Sequence, residues 1–159
     1  MGILKPYIDK LEATANELDN VAIQAVRDNE AFILRLLKDE QLGKGMDSLG
    51  KDILHPKGSA DGTYMPRTEN YWAKKRPFPR TPKITGRKFD MEWTGTFKDS
   101  MEFKYDKQGF DILSSTKRAM EAVYGTKLTA LNTKNLKTVG EKVIEPALYE
   151  HIFKPFSEL

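Results

Sequence analysis

The sequence of 159 residues contains no cysteine and only two histidines, His55 and His151. The absence of cysteine excludes disulfide bonds and cysteine metal sites within the chain. Neither histidine has a second one nearby at metal-ligand spacing, which argues against a zinc or iron centre. No G-x-S-x-G motif marks a serine nucleophile. We therefore expect no catalysis, no bound metal and no cofactor.

Long hydrophobic runs are also missing. No apolar stretch approaches the ~20 residues that a membrane-spanning helix needs, and the mean hydropathy is −0.58. The first residues turn acidic and helical too early to hold the apolar centre of a signal peptide. The net charge of +3 is too small to indicate nucleic-acid binding by the chain as a whole. These features predict a protein of the aqueous phase with no membrane partner.

The clearest predicted element is a long N-terminal helix over residues 6–42. Apolar residues recur along it at steps of three and four, which places them on one stripe. Pro6 suits the first turn, and Gly43 suits the stop. At ~1.5 Å per residue the helix would be roughly 50 Å long, so part of it should pack against another chain. A break near Asn29 would divide it into two helices, and both alternatives stay open.

Period-two alternation of apolar and polar residues predicts antiparallel strands later in the chain, at 88–93, 101–105 and 110–112. A turn over 106–109 joins the last two runs as a hairpin. The N-terminal helix is the natural cover for the apolar face of this sheet. The predicted core residues are Leu18, Phe32, Leu36, Phe89, Met91, Met101, Phe103, Ile112, Val139 and Val143.

The C-terminal part is predicted to be helical. Ser115 or Thr116 can cap a short helix that Gly125 ends. Asn132 or Thr133 can cap a last helix, which Pro146 should kink or split. The expected fold is thus α+β: a long N-terminal helix packed on a small antiparallel β-sheet, a long irregular middle segment and C-terminal helices. It forms a single domain, 1–159, with segments 1–43, 44–88, 89–115 and 116–159.

The middle segment, residues 44–88, is predicted to be an extended basic and aromatic arm because it is rich in glycine and proline. A short helix fits around residues 68–75. From residue 54 onward the arm should make few contacts within its own subunit. Near the start of this arm, the sequence of residues 45–52 nearly matches the motif of a phosphate-binding loop. However, Asp52 stands where the magnesium-binding hydroxyl belongs, which favours a plain glycine-rich turn.

Seven cationic residues and no acidic residue fall between Asn70 and Phe89. We call residues 74–88 the basic segment. It could neutralise DNA phosphates, meet an acidic protein surface, or be a solvated charge run. Of the two functional alternatives, we favour the protein surface. The candidate contact residues are Tyr71, Trp72, Lys74, Lys75, Arg76, Arg80, Lys83, Arg87 and Lys88.

Several short motifs, each weak alone, follow one another in order between residues 41 and 153. They are Gln41-Leu42, Gly45, Asp47, Gly50 and Ile53; Tyr64, Pro66, Tyr71 and Lys75; Thr94-Gly95, Phe97 and Ser100; Gly109-Phe110, Ile112 and Ser114-Ser115; and Tyr124-Gly125, Leu131 and Asn135-Leu136. In this order they resemble small virion proteins of tailed phages, of the neck, head–tail connector or tail-completion type, especially those of phages that infect Bacteroides-type bacteria.

The resemblance implies a non-enzymatic structural subunit of a virion that is assembled in the cytoplasm of the host bacterium. The family implies a homo-oligomeric ring at the neck, head–tail or tail-completion junction. The implied partners are other virion proteins, such as portal, neck or tail subunits, together with the passing DNA. The alternative function is a nucleic-acid-binding accessory protein that uses the basic segment.

Overall fold

A computed structural model describes residues 5–54, 59–74, 83–91, 95–106 and 109–157. The predicted α+β class is confirmed. The chain forms two compact units, which we call the helical unit (residues 1–33 and 137–159) and the central unit (residues 34–136). The expectation of a single domain stays a prediction. The elements are α1 Lys5–Asp28, α2 Glu30–Arg35, α3 Pro66–Lys74, α4 Thr96–Asp99, β1 Glu102–Asp106, β2 Gly109–Leu113, α5 Lys117–Tyr124, α6 Thr133–Val139 and α7 Glu145–Ser157.

The first helix breaks at Asn29, as one of the two open alternatives had it. The Asn29 side-chain amide donates a hydrogen bond of 2.9 Å to the Ala25 carbonyl. Asparagine side chains compete in this way with the backbone bonds of a helix. After this turn the chain continues as α2 and then as a wider π-helical turn, Leu36–Gln41. The predicted run over 6–42 is therefore one long helix, α1, followed by shorter helical pieces.

The partner of α1 is a C-terminal helix. Within the helical unit α1 packs against α7 and against the π-helical turn Gly140–Ile144, where Val143 is buried. The two-stranded sheet belongs to the central unit, and the packing of the first helix on it stays a prediction. An apolar stripe on a helix predicts which face is buried, but not which element covers it.

The interruption predicted at Pro146 takes the form of a π-helical turn. Proline lacks the backbone N–H that the preceding turn would need as a donor. The helix over the last residues is accordingly divided into α6, the turn Gly140–Ile144 and α7, which begins one residue before the proline. Val139 and Val143 are buried beside this junction.

The predicted hairpin is present in the central unit, with antiparallel pairing of β1 and β2. Phe103 pairs with Ile112, and Asp106 pairs with Gly109. The predicted strand at 88–93 is wrong in its described part, residues 88–91. Lys88 forms only an isolated bridge with Thr63, and Met91 turns the chain with a φ of 55°.

Seven of the ten predicted core residues are buried. The other three, Leu18, Phe32 and Phe103, are half-buried. Phe103 lies on a sheet of only two strands, and its ring contacts Phe110 at 5.1 Å between centroids. Because the sheet has only two strands, it cannot fully cover this pair of aromatic rings, and Phe103 stays half-buried. The seven buried residues are Leu36, Phe89, Met91, Met101, Ile112, Val139 and Val143.

Candidate functional site

The turn over residues 45–52 is closed by its own aspartate. Asp47 Oδ1 accepts hydrogen bonds of 2.9 Å from the backbone N–H groups of Leu49 and Lys51. Its other oxygen accepts the Thr126 hydroxyl at 2.7 Å. All backbone N–H groups from residue 47 to residue 51 donate within the chain. A phosphate-binding loop needs such groups for its anion, so the arrangement favours a structural turn.

A second buried polar group lies around Gln41, whose side chain is fully buried. Its amide donates to the Ala130 carbonyl at 2.9 Å, and its oxygen accepts the Asn132 N–H at 2.8 Å. Asn135 donates to the Leu36 carbonyl at 3.1 Å. Asn132 also accepts the N–H of Asn135 at 2.9 Å, which confirms it as the cap of α6. Gln41 and Asn135 thus join parts of the chain that are about ninety residues apart, and their buried polar atoms are satisfied.

Residues 62–74 and 83–90, which we call the stem, are held together at the two ends of the basic segment by backbone and side-chain hydrogen bonds. The Tyr64 N–H donates to the Arg87 carbonyl at 2.8 Å, and the Gly86 N–H donates to the Tyr64 carbonyl at 3.0 Å. One step further out, the Phe89 N–H donates to Gly62 at 3.1 Å. The chain that enters the segment is therefore bonded to the chain that leaves it.

A buried ion pair fixes one side of the stem. Lys83 Nζ lies 2.7 and 2.9 Å from the two oxygens of Asp90, and its side chain is only 1% exposed. The Tyr64 hydroxyl donates to the same carboxylate at 3.0 Å. Burial, and then the charge of Asp90, raise the pKa of Tyr64 far above its ordinary value. Tyr64 therefore stays protonated and acts as a hydrogen-bond donor.

A carboxylate on α3 holds the other side of the stem. Glu69 Oε2 accepts the hydroxyl of Thr85 at 2.6 Å and its N–H at 2.8 Å. These bonds favour the charged carboxylate, so they lower the pKa of Glu69 below its ordinary value. Helix α3 spans most of the short helix that the sequence predicted at 68–75. The helix is thus bound directly to the last part of the basic segment.

The candidate contact residues do not form one uniform surface. Tyr71, Lys74 and Arg87 are exposed, and Trp72 lies in α3. Lys88 is half-buried and pairs with Asp52 at 2.6 Å. The remaining basic residues before Lys83, namely Lys75, Arg76 and Arg80, lie outside the described residues.

Lys83 requires a correction. It was predicted as a contact residue, yet it is buried and its charge is matched by Asp90. Tyr64 is also buried, so the predicted scarcity of contacts over residues 54–88 is wrong at the stem. Residues that the prediction missed, Asp90 and Glu69, are the first acids on either side of the acid-free stretch. That position was the only signal in the sequence.

The helical unit contains a groove where α1 faces α7. Its lining includes Val21, Ala25, Ala147 and His151. His151 Nε2 lies 3.5 Å from Glu17 Oε2. Within the described ranges, no three histidine, aspartate or glutamate side chains are grouped as metal ligands. None of the described helices is long and apolar enough to span a bilayer.

Comparisons of the chain with protein-family models, curated proteins and solved structures gave no match. Several of the residues that carry the resemblance to virion proteins are buried in the central unit. Gln41, Leu42, Asp47, Ile53 and Tyr64 are all buried. These five belong to the framework of the central unit, whereas Gly50, Pro66, Tyr71 and Leu136, which also carry the resemblance, are exposed.

Proposed function

We propose that this chain is a non-enzymatic structural subunit of a tailed-bacteriophage virion, assembled in the cytoplasm of the host bacterium. It forms a homo-oligomeric ring at the neck, head–tail or tail-completion junction. Its partners are portal, neck or tail subunits. The observation that carries the proposal is the stem, which fixes both ends of a basic and aromatic segment to the central unit.

A fixed stem supports a binding role because it orders the chain on both sides of the segment before a partner arrives. Ordering residues at an interface costs free energy during association, and a preorganised surface avoids part of that cost. Tyr71 is 51% exposed, and the exposed Lys74 follows it by three residues on α3. Aromatic and arginine side chains are typical of the energetically dominant positions of interfaces. These features favour a protein joint.

The test compares assembly of charge-reversed variants by native mass measurement, with the subunit alone and mixed with the portal protein. Arg80→Glu combined with Arg87→Glu should abolish assembly and leave the monomer folded, because Arg87 is exposed and an exposed charge contributes little to stability. Arg118→Glu with Lys142→Glu is the control, since both residues are exposed on other elements. Assembly that survives the first pair would contradict the proposal.

The second candidate function is nucleic-acid binding by the basic segment. The charge distribution favours it, because the central unit holds twenty basic and thirteen acidic residues, a net charge of +7. In that case the free subunit should bind duplex DNA of any sequence. Log affinity would fall against log salt with a slope of about −0.9 per phosphate contacted. Strong, salt-sensitive binding, with assembly untouched by the charge reversals, would favour this function.

A further inference from the structure

Helix α1 has an exposed face that combines apolar and acidic side chains. Ile8, Glu12, Ala15 and Asp19 follow one another at steps of four, three and four residues, which places them on one side of the helix. All four are exposed. Leu11 borders them and is 52% exposed, while Ile8 is 51% exposed. We call these five residues the α1 face.

The carboxylates of the α1 face have no cationic partner in the described part of the chain. Neither Glu12 nor Asp19 forms an ion pair with a described residue. The helical unit contains six basic and ten acidic residues, a net charge of −4. The α1 face therefore suits a cationic occupant with apolar groups. Duplex DNA does not fit, because its phosphates would meet carboxylates.

The stem offers the complementary chemistry. Tyr71 and Ile84 are 51% and 40% exposed, and Lys74 and Arg87 are exposed with them. The two hydrogen bonds that Thr85 donates to Glu69 hold residues 83–87 against α3. The exposed stem residues thus combine apolar groups with cations, in a central unit whose net charge is +7. Charge complementarity of this kind selects partners and orients their encounter.

We propose that the α1 face of one copy binds the stem of a neighbouring copy. This inference rests on the proposed ring, and it assigns the surfaces through which its subunits meet. The two surfaces are different, so the contact is heterologous. A heterologous contact that repeats closes into a ring when the rotation between copies allows it. Both charge signs needed for the joint are present in every copy.

The absence of cysteine allows a direct test by disulfide trapping. A chain with Leu11→Cys is mixed with a chain carrying Ile84→Cys under mild oxidation. We expect a disulfide between the two different chains. In the control, a chain with Leu49→Cys is mixed with the chain carrying Ile84→Cys. Leu49 is 71% exposed but lies outside the α1 face. Equal trapping of the control, or dominant Leu11→Cys homodimers, would overturn the proposal.

A charge swap gives the second test. Glu12→Lys with Asp19→Lys should weaken assembly at least about tenfold through like-charge contacts. Adding Lys74→Glu with Arg87→Glu should restore it. The control reversal, Glu102→Lys with Glu145→Lys, uses other exposed acids and should leave assembly unchanged.

The two proposals fail in different ways. A ring that forms normally, without the mixed disulfide and without any effect of the α1 reversals, overturns the assignment of the surfaces alone. A subunit that stays monomeric, both alone and with the portal protein, overturns the proposed function itself, and the joint with it. Native mass measurement distinguishes these outcomes in one series of samples.

Discussion

Gly45 and Gly50 share a φ of 73° but have different surroundings. A Cβ at Gly45 would lie 2.8 Å from the Phe89 carbonyl oxygen, whereas a Cβ at Gly50 would meet nothing within 4 Å. Gly50→Ala should cost about 1–2 kcal/mol of backbone strain. Gly45→Ala should cost about 1–3 kcal/mol more because of the clash. Urea unfolding measures both, and equal costs would contradict the close approach.

The buried pair of Lys83 and Asp90 should be sensitive to the loss of one partner. Asp90→Asn leaves a buried ammonium without its counter-charge, so the free energy of unfolding should fall by about 3–5 kcal/mol. The control is Asp52→Asn, which breaks the exposed pair with Lys88 and should cost at most about 1 kcal/mol. Chemical denaturation of the two variants gives the comparison. Similar losses would show that burial of Lys83 has little energetic weight.

Among the elements, the stem should respond to pH through Glu69. Its pKa lies below the ordinary 4.5 because the charged carboxylate accepts both bonds from Thr85. The stabilisation is therefore fully present above 4.5 and is lost as the pH falls through the lowered pKa. The amide resonance of Thr85 should titrate with a midpoint below 4.5. Glu69→Gln should remove that titration, and a midpoint at or above the ordinary value would contradict the bonds.

Elements defined by local signals could be predicted from the sequence. The hairpin follows from alternation and a four-residue turn, α5 from its glycine stop, and the α6 cap from Asn132. Each of these signals lies within a few residues of the structure that it specifies. Local composition also explains why α3 could be placed near residues 68–75.

Contacts between distant parts of the chain could not be predicted in this way. The stripe on α1 did not reveal α7 as its partner, since many apolar faces are compatible with one stripe. Lys83 resembled its cationic neighbours, and only the folded chain brings the Asp90 carboxylate against it. The same holds for Gln41, whose partners lie about ninety residues later. Glu12 and Asp19 of the α1 face likewise carry no local signal that distinguishes them from other charges on an exposed helix.

At the scale of the whole molecule, the opposite charges of the two units predict a salt-sensitive assembly. The helical unit carries −4 and the central unit +7. Raising the ionic strength from about 0.1 M to about 1 M shortens the Debye length from about 10 Å to about 3 Å. Sedimentation velocity should then show a larger monomer fraction. Assembly that is unchanged or strengthened by salt would indicate an apolar joint instead.

The buried polar group around Gln41 should also constrain how the sequence diverges during evolution. Gln41, Asn132 and Asn135 satisfy one another's polar atoms inside the central unit. A change at one of them leaves a buried donor or acceptor unpaired, which costs about 1–3 kcal/mol. Diverging lineages should therefore replace the three together or keep all three. These three positions should then reveal homology between proteins even where the exposed stem residues have changed to bind another partner.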